Sequence, residues 1–190
     1  MATEGNSTGS LHPLVSVNEA TKGADHFANA YFCIEGDETA LGLANSVATR
    51  LGGIPFTIRP TEKALYHAAA VTACGHLVAL IDVATEMLSK CGIERRRAQE
   101  ILLPLISTTV RNLESSSPAE ALTGSFARMD IDAVRRHLAA IDDASLSPAV
   151  WAVYITLGER SLDLAEANGA EASEVAGLRD FISMAKRKCG

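Results

Sequence analysis

Aromatic residues make up only 5% of this 190-residue chain, and its four cysteines form no CxxC pair. The first scarcity leaves little to stack on bases. With a formal charge of -6 and no basic stripe, it argues against a nucleic-acid module. The second removes sequence support for a zinc site or a redox pair at Cys33, Cys74, Cys91 or Cys189, and fits reduced thiols in a cytosol. No His, Asp and Glu set has ligand spacing on one helix face, so no metal is expected. GxGxxG and GxxxxGK[ST] are both missing, which leaves no visible loop for nucleotide phosphates. The start, Met1 to Ser10, is polar and rich in Gly, Ser and Thr, without the basic-then-apolar layout of a signal peptide.

Charge is missing from one long stretch: Ala64 to Ile81 contains no Asp, Glu, Lys or Arg. That length touches the lower limit for a membrane span. The stretch nevertheless holds Tyr66, His67, Thr72, Gly75 and His76, and lies between Lys63 and Asp82 in one helical pattern. The expectation is a buried central helix of a cytoplasmic protein and no membrane partner.

What is present is 47% hydrophobic and 21% charged residues, with much of the apolar content small and helix-favouring. A stable core of mainly helical character follows. The run Leu11 to Val17 reads as extended, because the residue before Pro13 is pushed towards β. Ala30 to Glu35 and Ile54 to Arg59 are two more strand-sized runs. Between them, Asp37 is a candidate N-cap, and Leu41, Ala44, Val47, Ala48 and Leu51 recur at helical spacing before Gly52 and Gly53. This is the βαβ rhythm of a parallel sheet.

From Pro60 the character changes. Thr61 to Cys91 reads as one helix of about 30 residues, roughly 45 Å long. Further helices are expected over about 94–114, with Pro104 as a kink, then 131–142, 147–168 and 172–188, with Asp130 and Ser147 as caps. The domain plan is a flexible tail over 1–10, a small α/β piece over 11–59 and an all-helical domain over 60–190.

Three groups carry candidate chemistry. At 100° per residue, Lys63, His67, Ala70 and Cys74 share one stripe of the long helix, with His76 on the opposite side. A Lys and a His one turn apart can hold a carboxylate and move a proton, although a solvated Lys63 and a hydrogen-bonded core His67 give the same spacing. In the second group, Thr123, Gly124 and Ser125 offer hydroxyls and N–H groups to an anion beside Arg128. A plain interhelical turn capped by Asp130 explains the same residues. His12 and Pro13, near a strand end, form the third group.

In order and spacing, Leu11-His12-Pro13-Leu14-Val15-Ser16-Val17, Lys63-Ala64-Leu65-Tyr66-His67-Ala68-Ala69-Ala70-Val71 and Ala121-Leu122-Thr123-Gly124 with Arg128 and Asp130 resemble one known group. This is the Rossmann-like proteins that carry the C-terminal domain of unknown function 2520. The likeness covers nearly all of residues 10–142. That family looks like a branch of the 6-phosphogluconate dehydrogenase-like superfamily, related to deazaflavin-dependent NADP reductases and pyrroline-5-carboxylate reductases. The resemblance implies a fold that is mainly α with a small α/β N-terminal piece, its helical domain similar to the C-terminal domain of 6-phosphogluconate dehydrogenase and built on a long central helix.

It also implies roles. His12 and Pro13 would lie near the nicotinamide end of a cleft, with His67, or failing that Lys63, donating the proton as hydride reaches a carbonyl or imine carbon. His12 and Tyr66 would bind a small-molecule substrate, while Thr123, Gly124 and Arg128 would form a second wall that binds its carboxylate or holds a homodimer together. NADP or NAD is implied by resemblance alone. The chain departs from the family pattern at Cys74-Gly75, often Ser-Asn, and at Ser125 and Met129, often Pro and Gly. The family's glycine-rich first βα unit should precede Leu11, where only ten residues stand. The expectation is a truncated chain or a standalone helical domain, served by a Rossmann domain in cis or in trans. The competing expectation is a non-catalytic, homodimerising, ligand-binding helical module.

Overall fold

A computed structural model describes residues 6–17 and 24–189. Residues 1–5 of the expected flexible tail lie outside the described residues. The chain forms two compact units, Met1–Val78 and Ala79–Gly190.

The first unit is built on three strands in the order β1-β2-β3: β1 (Gly9–Pro13), β2 (Tyr31–Gly36) and β3 (Ile54–Phe56). β1 pairs antiparallel with β2, while β2 and β3 are parallel. Helix α1 (Glu38–Arg50) makes the crossover between the parallel pair, so the expected βαβ unit is present. Asp37 starts α1 as an N-cap, accepting a hydrogen bond from the Ala40 N–H. Alternation along the strands sorts the side chains. Phe32 and Ile34 of β2 face α1 and close a small core with Ala44 and Ala48, joined by Leu11 of β1. At the strand ends, Gly36 has a φ of +144°, and a Cβ there would come 2.6 Å from the Thr8 carbonyl and 2.7 Å from Gly9 Cα. Only glycine lets the strand end turn into α1 this closely.

A short 3-10 turn, Pro60–Glu62, leads into α2 (Lys63–Ala73) and α3 (Gly75–Ser89). The single helix expected over Thr61 to Cys91 is therefore two, interrupted at Cys74, whose φ is -115° and ψ -74°. Gly75, a poor helix former, follows the break. The expectation of a buried helix is also overturned. Only 6% of the 18-residue apolar window within Pro60–Ser89 is buried, and α2 contains no buried residue. The pattern was read correctly as apolar on all sides. What the chain does not supply is the cover.

The second unit is all helical: most of α3, then α4 (Arg95–Ser115), α5 (Pro118–Ala121), α6 (Ile131–Asp143), α7 (Pro148–Ala167) and α8 (Ala172–Cys189). Pro104 lies inside α4. Asp130 caps α6 by accepting from the Ala133 N–H, as its position predicts. Ser147 occupies the N-cap position of α7, but its side chain makes no capping hydrogen bond. The core joins Val134 and Leu138 of α6, Ile155 and Leu162 of α7, and Val175, Leu178 and Ile182 of α8. The whole is mainly α with a small α/β piece at its N-terminal end.

Candidate functional site

β1 and β2 set the site by register. Ser10 stands opposite Glu35, and His12 opposite Cys33. Because successive side chains alternate, these four share the sheet face away from Phe32 and Ile34. The first turns of α2 bring Lys63, Tyr66 and His67 to this polar face. Nδ1 of His12 and the Tyr66 hydroxyl share a hydrogen bond of 2.6 Å, its direction set by the histidine tautomer. The His67 ring stands edge-on to His12, with centroids 5.0 Å apart, and 5.2 Å from the Tyr66 ring. Phe56 of β3 adds an apolar wall, 6.1 Å from Tyr66 between ring centroids.

One end of the face is charged. Lys63 Nζ donates to Glu35 Oε2 at 2.7 Å and to Ser10 Oγ at 3.2 Å. The hydrogen bond from Lys63 holds the Glu35 carboxyl below the usual range against the opposing effect of burial, with the Lys63 charge, Ser10 and His67 adding smaller pulls. Burial pushes the Tyr66 phenol up, with Cys33 and Glu35 adding to the shift. The buried Cys33 thiol is pushed up too, first by burial and then by the Glu35 charge. Both therefore stay protonated near neutral pH. The face offers a phenol and two imidazoles for proton movement and an ammonium for charge.

Four of the sequence-predicted residues, His12, Lys63, Tyr66 and His67, are thus brought together in the first unit. Pro13 ends β1 opposite Phe32. Thr123, Gly124 and Arg128 belong to the second unit, in the turn before α6, and all three are exposed. That turn bends through positive φ at Gly124 (86°) and Met129 (53°). It is anchored by Phe126, whose ring packs with Tyr154 at 5.9 Å. Sequence reasoning missed Ser10, Cys33 and Glu35. Their signal was period-2 spacing, Ser10 with His12 and Cys33 with Glu35, but Ser10 falls in the expected flexible tail and Cys33 and Glu35 in an apolar run.

A dinucleotide's phosphates need free N–H groups at the start of a helix. In the turn from β2 to α1 the Asp37 carboxylate accepts from one such group, Ala40 N at 3.0 Å, and from Thr8 N, ahead of β1, at 2.7 Å. At the start of α2, Glu62 holds the N-cap position and Pro60 precedes it. Both turns place a carboxylate at the N-cap position, where a phosphate would meet like charge. Among the described residues no group of three or more His, Cys, Asp and Glu side chains is placed to hold a metal ion. Two surface grooves lie elsewhere: one between β1 and α1, lined by Leu11, Leu43 and Val47, and one in the second unit, lined by Trp151, Pro148 and Lys186.

Two solved structures share this fold. One is the protein TM1727 from Thermotoga maritima, 23% identical with a TM-score of 0.71, over 84% of this chain and 62% of that one. The other, from Bacteroides fragilis, is named as a candidate NADP oxidoreductase; it is 23% identical with a TM-score of 0.67, over 83% of this chain and 59% of that one. The chain thus spans about three-fifths of the length of these relatives. Comparison with curated protein sequences gives no match. The family model described as Domain of unknown function (DUF2520) matches residues 30–161, well over half of the sequence and most of the polar face, and the chain belongs to that family.

Proposed function

We propose that this chain is the substrate-binding and dimerisation part of an NAD(P)-dependent oxidoreductase acting on a small keto acid or imine, inactive until joined to a nucleotide-binding domain. One observation carries the reading: His12, Lys63, Tyr66 and His67 converge on one polar sheet face, where a phenol hydrogen-bonded to an imidazole can protonate a carbonyl oxygen or imine nitrogen. The name of the Bacteroides fragilis relative supports the oxidoreductase class. Asp37 and Glu62, carboxylates at the starts of α1 and α2, oppose the cofactor's phosphates, and in this reading the chain supplies the proton and the substrate contacts. Titration calorimetry tests the reading. The chain by itself is expected not to bind NADPH tightly, and to bind it and turn over a 2-keto acid or cyclic imine once joined to a Rossmann domain. Failure to bind even then overturns it.

The second reading, a non-catalytic homodimerising module, draws on the exposed apolar helices. Leu65, Val71 and Val78 are 69%, 51% and 66% exposed, and every residue from 71 to 80 is exposed. A helical run long and apolar enough to cross a membrane by length and composition also carries Lys63, Tyr66 and His67, which bond to or pack on the sheet face. A protein surface, a second copy of this chain, is its natural cover. Sedimentation at micromolar concentration decides: a dimer is expected, and a monomer removes this part of the proposal.

A further inference from the structure

We propose that Glu35 is a positioning residue: its carboxylate holds the Lys63 ammonium against Ser10 at one end of the polar face, reserving that charge for the ligand and leaving proton transfer to Tyr66, His12 and His67. The inference deepens the reading of this face as the site and rests on it.

The backbone makes the arrangement. Glu35 and Ser10 are register partners on neighbouring strands, and Lys63 opens the helix that meets them. An ammonium has three hydrogens to donate. Lys63 gives one to Glu35 at 2.7 Å and one to Ser10 at 3.2 Å, while Ser10 Oγ is 3.4 Å from the same carboxylate oxygen. The third hydrogen remains for a ligand. The Lys63 side chain is 44% exposed and that of Glu35 16%, so the carboxylate sits behind the charge it holds. A proton donor must swing towards the reacting atom and be recharged afterwards, whereas Nζ is tied on two sides. The Tyr66 hydroxyl is instead bonded to an imidazole, His12, that can itself carry a proton, with the His67 ring beside both.

Two features speak against a purely structural pair. A half-exposed ion pair contributes little to stability. The second oxygen, Glu35 Oε1, is buried without a hydrogen-bond partner, the one such side-chain atom among the described residues. A carboxylate placed to staple a sheet would be satisfied on both oxygens. Glu35 is instead shaped around Lys63, with His67 close enough to add its own electrostatic pull.

Reductive methylation of the full chain with formaldehyde at pH 8, resolved lysine by lysine by mass spectrometry, tests this without any turnover. Exposed Lys90 serves as the internal reference. Lys63 is expected to react more slowly than Lys90, and Glu35→Gln to speed it about fivefold. Glu35→Asp, which keeps the charge but draws it back by one methylene, should give an intermediate rate. Ser10→Ala removes one contact and no charge. It should give a smaller rise and keeps the test open if Glu35→Gln does not fold. A Lys63 rate equal to that of Lys90 in the unaltered chain, or unchanged by Glu35→Gln, overturns the proposal. In the chain joined to a Rossmann domain, Glu35→Gln should raise KM with kcat nearly kept, whereas loss of kcat alone would also count against it. Should Lys63 respond as expected while no turnover is ever seen, the enzyme reading fails and the positioning stands.

Discussion

Tyr66 makes the most contacts to rings of the polar face: its hydroxyl meets His12, and its ring neighbours His67 and Phe56. Tyr66→Phe keeps the ring and deletes the hydrogen bond. If the proposed reductase activity holds, kcat of the chain joined to a Rossmann domain should fall about 100-fold with far-UV circular dichroism unchanged. A second prediction concerns Asp37. Hydrogen bonds from the Ala40 and Thr8 N–H groups hold its carboxyl below the usual range, so the folded chain binds the proton less readily than the unfolded one. Its stabilising effect is then present above the ordinary aspartate range, about pH 4, and fades as pH falls through the lowered value. Thermal midpoints of wild type and Asp37→Ala should differ at pH 7 and converge in acid. Asp37 was legible as a cap from its place before an apolar 3.6-residue period. Glu35 was not, because nothing in a single strand tells which face its alternate residues will share with a distant lysine.

At the scale of elements, the βαβ unit was readable because α1 has a cap, an apolar stripe and a glycine stop, all local signals. The antiparallel course of β1 was not, since pairing direction depends on partners far along the chain. The break at Cys74 escaped notice for a related reason: an all-apolar run fits helical periodicity on either side of it. Packing predictions follow from the two cores. Phe32 is 1% exposed between β2 and α1, and Phe32→Ala should cost about 3–5 kcal/mol in urea unfolding. In the second unit, Gly158 on α7 takes the Phe126 ring so closely that a Cβ would come 2.7 Å from it. Gly158→Ala should lower the midpoint measured by fluorescence of Trp151, the only tryptophan, which packs against the same core.

For the molecule as a whole, the main quantity is uncovered apolar surface. Leu77, Val78 and Leu80 are 38%, 66% and 37% exposed, and on α4 Ile101, Leu105 and Leu113 are 45%, 64% and 48% exposed. Single glutamates at Val78 and Leu105 should shift sedimentation towards monomer, with helix content retained. Hydropathy alone announced this helix as buried, and the fold leaves it exposed, because apolar periodicity reports what a helix face is made of and not what lies against it. The paired strands carry a different consequence, for how the family can vary in length. Pairing with β2 holds His12 opposite Cys33, and Phe27 and Ala30, just before β2, pack on the small core of the first unit. A single deletion inside β1 carries Leu11 onto the proton-carrying face and the histidine into the apolar core. Relatives that keep the chemistry should therefore not differ in length within the five residues of the first strand.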